Sequence, residues 1–431
     1  MSKYNVYSGL NLPNVAKEVL DKWNQNNVFE QSITSRDDNK PFVFFEGPPS
    51  ANGLPGIHHV MARAIKDIFC RYKTLKGYKV ERKAGWDTHG LPVELSVEKK
   101  LGITKEDIGK KISVDEYNKE CRETVMQYTD IWNDLTEKMG YWVDMDNPYI
   151  TYENKYIETV WWLLGQLHQK GLMYKGYTIQ PYSPAAGTGL SSHELNQPGC
   201  YKDVKDTTCV AQFKMCAGQD SPFEGGQGDV YFLAWTTTPW TLPSNTALAV
   251  GPKIDYVLVK TYNQYTHQPI NVVLAKALVG YQFSGKYEQN DELNYTEGDK
   301  KIPYKIEKEF VGANLVGLQY EQLLPYALPH ENAENAFKVI PGDFVTTEDG
   351  TGIVHIAPTF GQDDAQVAKD AGVPAMLVLD DNNNPVPLVG LQGRFRPEMG
   401  EFAGMYVKNE YYTDGEAPDK SVDVQICIKL E

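Results

Sequence analysis

The chain has little cysteine: six residues in 431, at 70, 121, 200, 209, 216 and 427, with no C-x-x-C pair. That spacing argues against a disulfide framework and a zinc cluster and fits reduced thiols. A Cys/His metal site on Cys200, Cys209 and Cys216 is the remaining alternative. Long apolar runs and a signal-peptide pattern are also missing, which argues against membrane and secreted proteins. Basic residues are in deficit, 42 Lys and Arg against 57 Asp and Glu, for a net charge of −15. Such a surface does not coat nucleic acid generically, although a local basic groove is compatible with it. No Gly-Lys-Ser/Thr follows the main glycine-rich turn, no G-x-G-x-x-G is present, and no internal repeat is found. Hydrophobic residues at 41% and charged residues at 23% describe an ordinary globular chain, long enough for two or three domains.

The most organised stretch is residues 42–75, FVFFEGPPSANGLPGIHHVMARAIKDIFCRYKTL. Residues 42–45 are a short apolar run of the kind a fully buried parallel strand presents. Gly47, Pro48 and Pro49 break it, and Asn52-Gly53 and Pro55-Gly56 predict a tight turn. From Val60 the apolar residues Ala64, Ile65, Ile68, Phe69, Tyr72 and Leu75 take the one-face spacing of an amphipathic helix. Arg63, Lys66, Asp67, Arg71 and Lys73 fall mostly on the other side. His58 and His59 stand at the helix start, where free N–H groups and the helix dipole are receptive to phosphate. A capping or packing role for the pair is the plainer alternative.

Residues 78–83 alternate like a strand and lead into Gly85-Trp-Asp-Thr-His-Gly-Leu-Pro-Val-Glu94. Strand, helix and strand make a βαβ unit of an α/β parallel sheet, in which ligands bind beyond the strand C-termini. Residues 47–48 and 86–87 are expected together there. A short amphipathic helix is expected within residues 10–30. Ser113 and Glu116 form a capping box for another helix, and a third spans roughly residues 153–170 up to Gly171. The aromatic stripe through Trp132, Trp161 and Trp162 reads as core. From about Cys200 to residue 410 short apolar runs alternate with turns, which predicts a mostly β, barrel-like domain. Within it, Trp235-Thr-Thr-Thr-Pro-Trp-Thr-Leu-Pro-Ser-Asn245 reads as an edge strand or as a polar lining beside an aromatic wall. In Gly350-Thr-Gly-Ile-Val-His-Ile-Ala-Pro-Thr-Phe-Gly-Gln-Asp-Asp364 a strand ends in a loop with a carboxylate pair, where Asp363 or Asp364 could simply cap a helix.

Together these stretches resemble the N-terminal part of an isoleucyl-tRNA synthetase, a class I enzyme. The carriers are the Gly47–Gly53 peptide, Gly56-Ile-His-His59, the Gly85–Glu94 peptide, Thr236-Thr-Thr-Pro-Trp240 and the peptide ending at Asp364, five motifs in the family's order. The resemblance implies a Rossmann-type catalytic core, its first half here, with an inserted β-barrel-like editing domain. The expected divisions are 1–199 for the N-terminal helix and first half of the catalytic domain, 200–410 for the editing domain and 411–431 for the start of a return segment. It implies ATP-dependent activation of isoleucine, transfer to tRNA(Ile) and hydrolysis of mischarged valyl-tRNA. ATP would meet Gly47, Pro49, Asn52, Gly53, Gly56, His58 and His59, the two histidines being catalytic. Isoleucine would meet Gly47, Pro48, Trp86, Asp87 and His89, with the Asp87 carboxylate on its α-amino group. In editing, Thr236, Thr237 and Thr238 would contact the ester and position water, and Asp364 would anchor the α-amino group. Trp240, Asn245, His355 and Asp363 would complete that pocket. Magnesium is expected with ATP through phosphates and water, and a cytoplasmic monomer without membrane contact is expected.

The chain departs from the family in three places. The usual His-Ile-Gly-His signature is replaced by Gly56-Ile57-His58-His59, so the first and third positions are exchanged and only the last histidine stays. No Lys-Met-Ser-Lys-Ser-type loop occurs before Glu431, so the other half of the catalytic sheet and the anticodon-binding helices are expected beyond it. The segment Pro181-Tyr-Ser-Pro-Ala-Ala-Gly-Thr-Gly-Leu190 lacks the cysteine ligands of some relatives, so no zinc is expected. A valyl or leucyl enzyme is the nearest rival. A stand-alone deacylase of mischarged tRNA and a non-catalytic tRNA-binding protein are the rivals from other classes.

Overall fold

The computed structural model describes residue 9 and residues 11–176, 178–223 and 229–431. Its contacts divide the chain into two compact units, Met1–Gly176 and Tyr177–Glu431.

Unit 1 opens with helices α1 (Leu12–Gln25) and α2 (Val28–Thr34) and then strand β1 (Pro41–Phe45). Helix α3 (Ile57–Leu75) crosses to β2 (Lys79–Trp86), which pairs in parallel with β1 from Pro41↔Lys79 to Phe45↔Lys83. Helices α4 (Leu91–Leu101), α5 (Val114–Val125) and α6 (Thr129–Lys138) precede β3 (Asp144–Ile150), and α7 (Asn154–Gln169) follows it. The sheet order is β1-β2-β3, all parallel, the Rossmann-type arrangement. The capping box before α5 forms in both directions, Glu116 N to Ser113 Oγ and Ser113 N to Glu116 Oε2, at 3.2 Å each.

Three expectations about burial are reversed here. The 42–45 run is not fully buried: Val43 is 57% and Phe45 59% exposed. The reason is that β1 is an edge strand, paired only with β2 among the described residues. The apolar stripe of α3 also faces outward, with Ile68 and Phe69 both 65% exposed, while Arg63, Cys70 and Thr74 are the buried residues. Its polar side packs inward, where Arg63, Asp67, Arg71 and Thr74 find hydrogen-bond partners. Arg82, wholly buried on β2, donates to Asp67 and to Thr74 Oγ1, Arg71 also pairs with Asp67, and Arg63 donates to Thr136 Oγ1 at 2.9 Å. Buried charges are tolerated only when paired or hydrogen-bonded in this way. Finally, Trp132 is core but Trp161 and Trp162 are exposed, since α7 has no buried residue.

Unit 2 begins with a ribbon, β4 (Tyr182–Ser183) and β5 (Thr188–Gly189), and a one-turn helix α8 (Ser192–Leu195). The main sheet is built from β6 (Cys209–Lys214), β7 (Val230–Thr236), β8 (Ala247–Val250), β9 (Asp255–Tyr262), β10 (Pro269–Ala275), β11 (Tyr287–Gln289), β12 (Ile302–Val311), β13 (Lys338–Pro341) and β14 (Ile353–Ile356). A short helix α9 (Val279–Gln282) follows β10, and α10 (Gln362–Asp370) follows β14. A small hairpin, β15 (Leu377–Leu379) with β16 (Pro385–Pro387), and helix α11 (Val422–Leu430) complete the unit.

Strand β7 pairs with β6 along one side and with β10 and β14 on the other, and β14, β8 and β13 continue in turn. Residues 317–321 then bridge both ends: Gln319 pairs with Lys338 at the start of β13, and Tyr320 with Met215 just past β6. The ring β6-β7-β14-β8-β13 therefore closes, as the barrel-like expectation had it. Phe213, Phe232, Leu248, Tyr256, Leu315 and Tyr320 fill it. No helix of the described residues is long and apolar enough to cross a membrane.

Candidate functional sites

In unit 1 the peptide after β1 is held from three sides. Asp87 N–H donates to Pro49 O at 3.0 Å, so residues 47–49 and 86–87 do meet at the strand C-termini. Trp132 Nε1 donates to Gly53 O at 2.9 Å, and Tyr128 N–H to Ala51 O at 3.0 Å. The Trp132 indole stands edge-on to His59, with centroids 4.7 Å apart.

Glu46, buried at the end of β1, accepts from Tyr141, pairs with Lys66 of α3, and lends its carbonyl to Tyr149. Burial and that carboxylate push the Tyr141 phenol far up, and burial first and Tyr156 second push Tyr149 up to about 12. Both hydroxyls thus stay protonated and donate. Gly85 is required here, because a Cβ at that position would stand 2.4 Å from the Tyr149 ring.

At the start of α3, Gly56 N–H donates to His59 Nδ1 at 2.9 Å. His59 therefore caps the helix and carries any neutral-state proton on Nε2. Burial, then His58 and Arg63, lower its pKa and favour that neutral ring. His58 is exposed and its ring lies tilted against His59, with centroids 3.8 Å apart, and over Gly56, where a Cβ would meet it at 2.8 Å.

In unit 2 the threonine peptide and residues 350–364 line one cavity of about 870 Å³, together with Trp240, Thr241, His355 and Phe360. Thr236 ends β7, a central strand rather than an edge, and its Oγ1 accepts the N–H of Thr238 at 3.1 Å. A polar chain lies behind these threonines. Tyr320 OH donates to Asn245 Oδ1 at 2.6 Å, and Asn245 Nδ2 donates to His355 Nδ1 at 2.9 Å and to Ala247 O at 2.8 Å. This leaves the His355 proton on Nε2, facing Thr241 Oγ1 at 3.0 Å, and Thr241 in turn donates to Thr238 O at 2.8 Å. Burial lowers His355 to about 4, so the ring is neutral at pH 7. Each link has one donor and one acceptor, and the chain fixes the Thr238 backbone.

Asp364 lies in the first turn of α10 but does not cap it. The N-cap is Gly361, and Asp364 Oδ2 turns back to accept the N–H of Ala357 at 2.8 Å. Gly361 makes this possible, since a Cβ there would lie 2.7 Å from the carboxylate carbon. Burial raises the Asp364 pKa, against the opposing Ala357 bond. Trp240 packs edge-on to Phe360 at 4.8 Å, and Trp240 Nε1 and Thr359 Oγ1 are buried without a protein partner among the described residues.

The family model of the class I tRNA synthetases (I, L, M and V) matches residues 18–378. The chain belongs to that family. It is 59% identical to the isoleucine–tRNA ligase of Bacteroides thetaiotaomicron across its whole length, which is 40% of that protein. It is 62% identical to the isoleucine–tRNA ligase of Bacteroides fragilis, again over the whole chain and 39% of the relative. With the Clostridium tetani isoleucine–tRNA ligase the identity is 48% over 91% of this chain and 33% of the other. The chain thus spans about two fifths of the length of the relatives it matches most fully.

In this class I synthetase chain the sequence-assigned residues fall into two groups. Gly47, Pro48, Pro49, Asn52 and Gly53 lie on the loop after β1, Gly56, His58 and His59 at the start of α3, Trp86 at the end of β2, and Asp87 and His89 on the loop that follows it. Trp86 is buried against Ala51 and Trp132, while His89 is exposed with Nδ1 3.1 Å from Thr151 Oγ1. Thr236, Thr237, Thr238, Trp240, His355 and Asp364 line the second cavity, whereas Asn245 stands behind it and Asp363 is exposed outside its lining. Sequence reasoning missed Glu46, Lys66, Tyr141, Thr241 and Tyr320. The one available signal was a lone carboxylate, Glu46, directly after an apolar strand, a position that demands partners.

Proposed function

We propose that the chain is the N-terminal portion of an isoleucine–tRNA ligase that activates isoleucine with ATP, transfers it to tRNA(Ile) and hydrolyses mischarged valyl-tRNA. The observation that carries this is identity of about 60% along the whole chain to proteins of that name, with the motif residues gathered into two separate sites. In this reading residues 1–199 belong to the catalytic domain, 200–410 to the editing insertion and 411–431 to the return segment. Residues 178–199 are then the catalytic stretch that packs with the β-rich unit.

In activation the isoleucine carboxylate attacks the α-phosphorus of ATP and pyrophosphate leaves. The protein's task is orientation and charge stabilisation. The N–H groups in the first turn of α3 fit a phosphate, and His59 Nε2–H is the donor its cap leaves available. Asp87, whose backbone is tied to Pro49, pairs with the α-amino group of isoleucine at the Gly47-Pro48 turn. Magnesium travels with ATP on phosphate and water oxygens. The protein works as a cytoplasmic monomer.

Editing answers a limit of that first site. A hydrophobic pocket rejects a side chain shorter by one methylene by only about 1–3 kcal/mol, a general figure of which isoleucyl enzymes are the standard example. In the cavity of unit 2 Asp364 Oδ1 takes the α-amino group, Thr237 and Thr238 face the ester, and the His355 chain holds the Thr238 backbone. Thr241 is occupied on both sides and does not react. ATP–pyrophosphate exchange by the full-length gene product with isoleucine, valine and leucine tests the assignment. Exchange with isoleucine should dominate, and dominance by valine or leucine would assign the chain to a sister enzyme.

A further inference from the structure

We infer that Asp423 is a positioning residue for the hydrolytic cavity of unit 2, acting through the main chain of Trp240; the inference rests on the editing reading above. Asp423 is the second residue of α11, after the N-cap Ser421, and its side chain is fully buried. A carboxylate so placed must be paired and hydrogen-bonded to remain charged. Its two oxygens divide the work. Oδ2 meets Lys408 Nζ at 2.8 Å, and Lys408 reaches on to Asp206 at 2.5 Å. Oδ1 accepts the backbone N–H of Trp240 at 2.8 Å.

That N–H has no other natural acceptor. Trp240 is the second residue of the 3-10 turn Pro239–Ser244, and the first N–H groups of such a turn lack carbonyls to bond. Pro239 has no N–H at all. Asp423 thus caps, from 183 residues away in sequence, the turn that starts directly after Thr238. A carboxylate cap is stronger than a neutral one. The effect reaches both walls of the cavity. The Trp240 ring rests on Phe360, and Phe360 directly precedes Gly361 and the turn that sets Asp364.

A purely structural ion pair would staple α11 in place and affect only stability. A positioning role requires in addition that the oxygen facing Trp240 matter to the rate. The full-length gene product is compared with Asp423→Ala and Asp423→Asn for valyl-tRNA deacylation, with isoleucine-dependent ATP–pyrophosphate exchange as the control. The asparagine keeps an acceptor for Trp240 and loses the charge, whereas alanine loses both. Displacing a site by 1 Å costs on the order of 100-fold in rate. Asp423→Ala should therefore lower the deacylation kcat by about that factor with KM little changed, and Asp423→Asn should restore most of it. Deacylation at the wild-type kcat by Asp423→Ala, or an Asp423→Asn as slow as the alanine variant, overturns the inference alone. Failure of the wild type to hydrolyse valyl-tRNA overturns the editing reading with it. Should the alanine variant not fold, amide hydrogen exchange at Trp240 in the wild type decides. Protection is expected, and exchange at the rate of an unstructured amide refutes the cap.

Discussion

Acidification should weaken unit 2 through one residue, His355. Its ring lies between β8 and the threonine peptide, accepts from Asn245 at Nδ1 and donates from Nε2 to Thr241. Protonation would place a second donor against the Asn245 amide and a charge in a fully buried site. The folded-state pKa is lowered from 6.5 to about 4 by burial. The neutral ring therefore favours the fold, and the stability it confers is complete above pH 6.5 and lost as pH falls from 6.5 towards 4. At about 1.4 kcal/mol per pH unit, the loss is about 3 kcal/mol. The comparison is with His355→Gln, which can accept from Asn245 and donate to Thr241 but does not titrate. Urea denaturation between pH 7 and 4, with hydrogen-exchange protection of β14 as the local probe, gives the difference between the two proteins. Carboxylates that titrate in both cancel. The wild type should lose about 3 kcal/mol relative to the variant over that range. Parallel pH dependence in the two proteins would refute the neutral, buried histidine and the hydrogen-bond chain built on it.

Other perturbations separate the two sites. Asp364→Ala removes a charge-assisted partner for the substrate amine worth about 1.5–3 kcal/mol, so valyl-tRNA deacylation should fall about 10- to 150-fold while isoleucine-dependent ATP–pyrophosphate exchange stays unchanged; a fall in both would tie Asp364 to folding. Trp132→Phe keeps the packing on His59 but loses the bond to Gly53 O, which should cost about 1 kcal/mol in stability and raise the KM for ATP, measurable by denaturation and by exchange; an unchanged KM would remove Trp132 from the support of the nucleotide loop. The Gly56/His58 exchange is expected to leave the site working, since the His58 ring occupies the space a side chain at position 56 would need. The double change Gly56→His with His58→Gly should then bring no large gain in exchange rate, and an inactive native protein rescued by it would show the native order to be a defect.

The sheet and its two loops were readable because β1, α3 and β2 each carry a complete local pattern, and glycines and prolines mark every break. Periodicity says which residues share a face, not which face meets the sheet. The apolar stripe of α3 was therefore expected inward, when the Arg63, Asp67 and Thr74 side packs there, paired with Arg82 and Thr136 from distant segments. The same blindness applies to α7, whose Trp161 and Trp162 form a stripe by spacing yet stay exposed. Barrel character followed from short runs and turns, but closure did not, because residues 317–321 complete the ring through isolated bridges with no strand pattern of their own. In the site, motif residues were legible and their supports were not. Glu46 with Tyr141, Tyr320 with Asn245 and Asp423 with Trp240 are separated by 95, 75 and 183 residues.

The proposed function assigns isoleucine activation to the motif residues of unit 1 and removal of valine to the cavity of unit 2. It is tested most directly by hydrolysis of valyl-tRNA(Ile) and isoleucyl-tRNA(Ile) by the full-length gene product at equal concentrations. Rapid loss of the valyl ester with the isoleucyl ester spared is the predicted result, and equal hydrolysis of the two, or of neither, would contradict it.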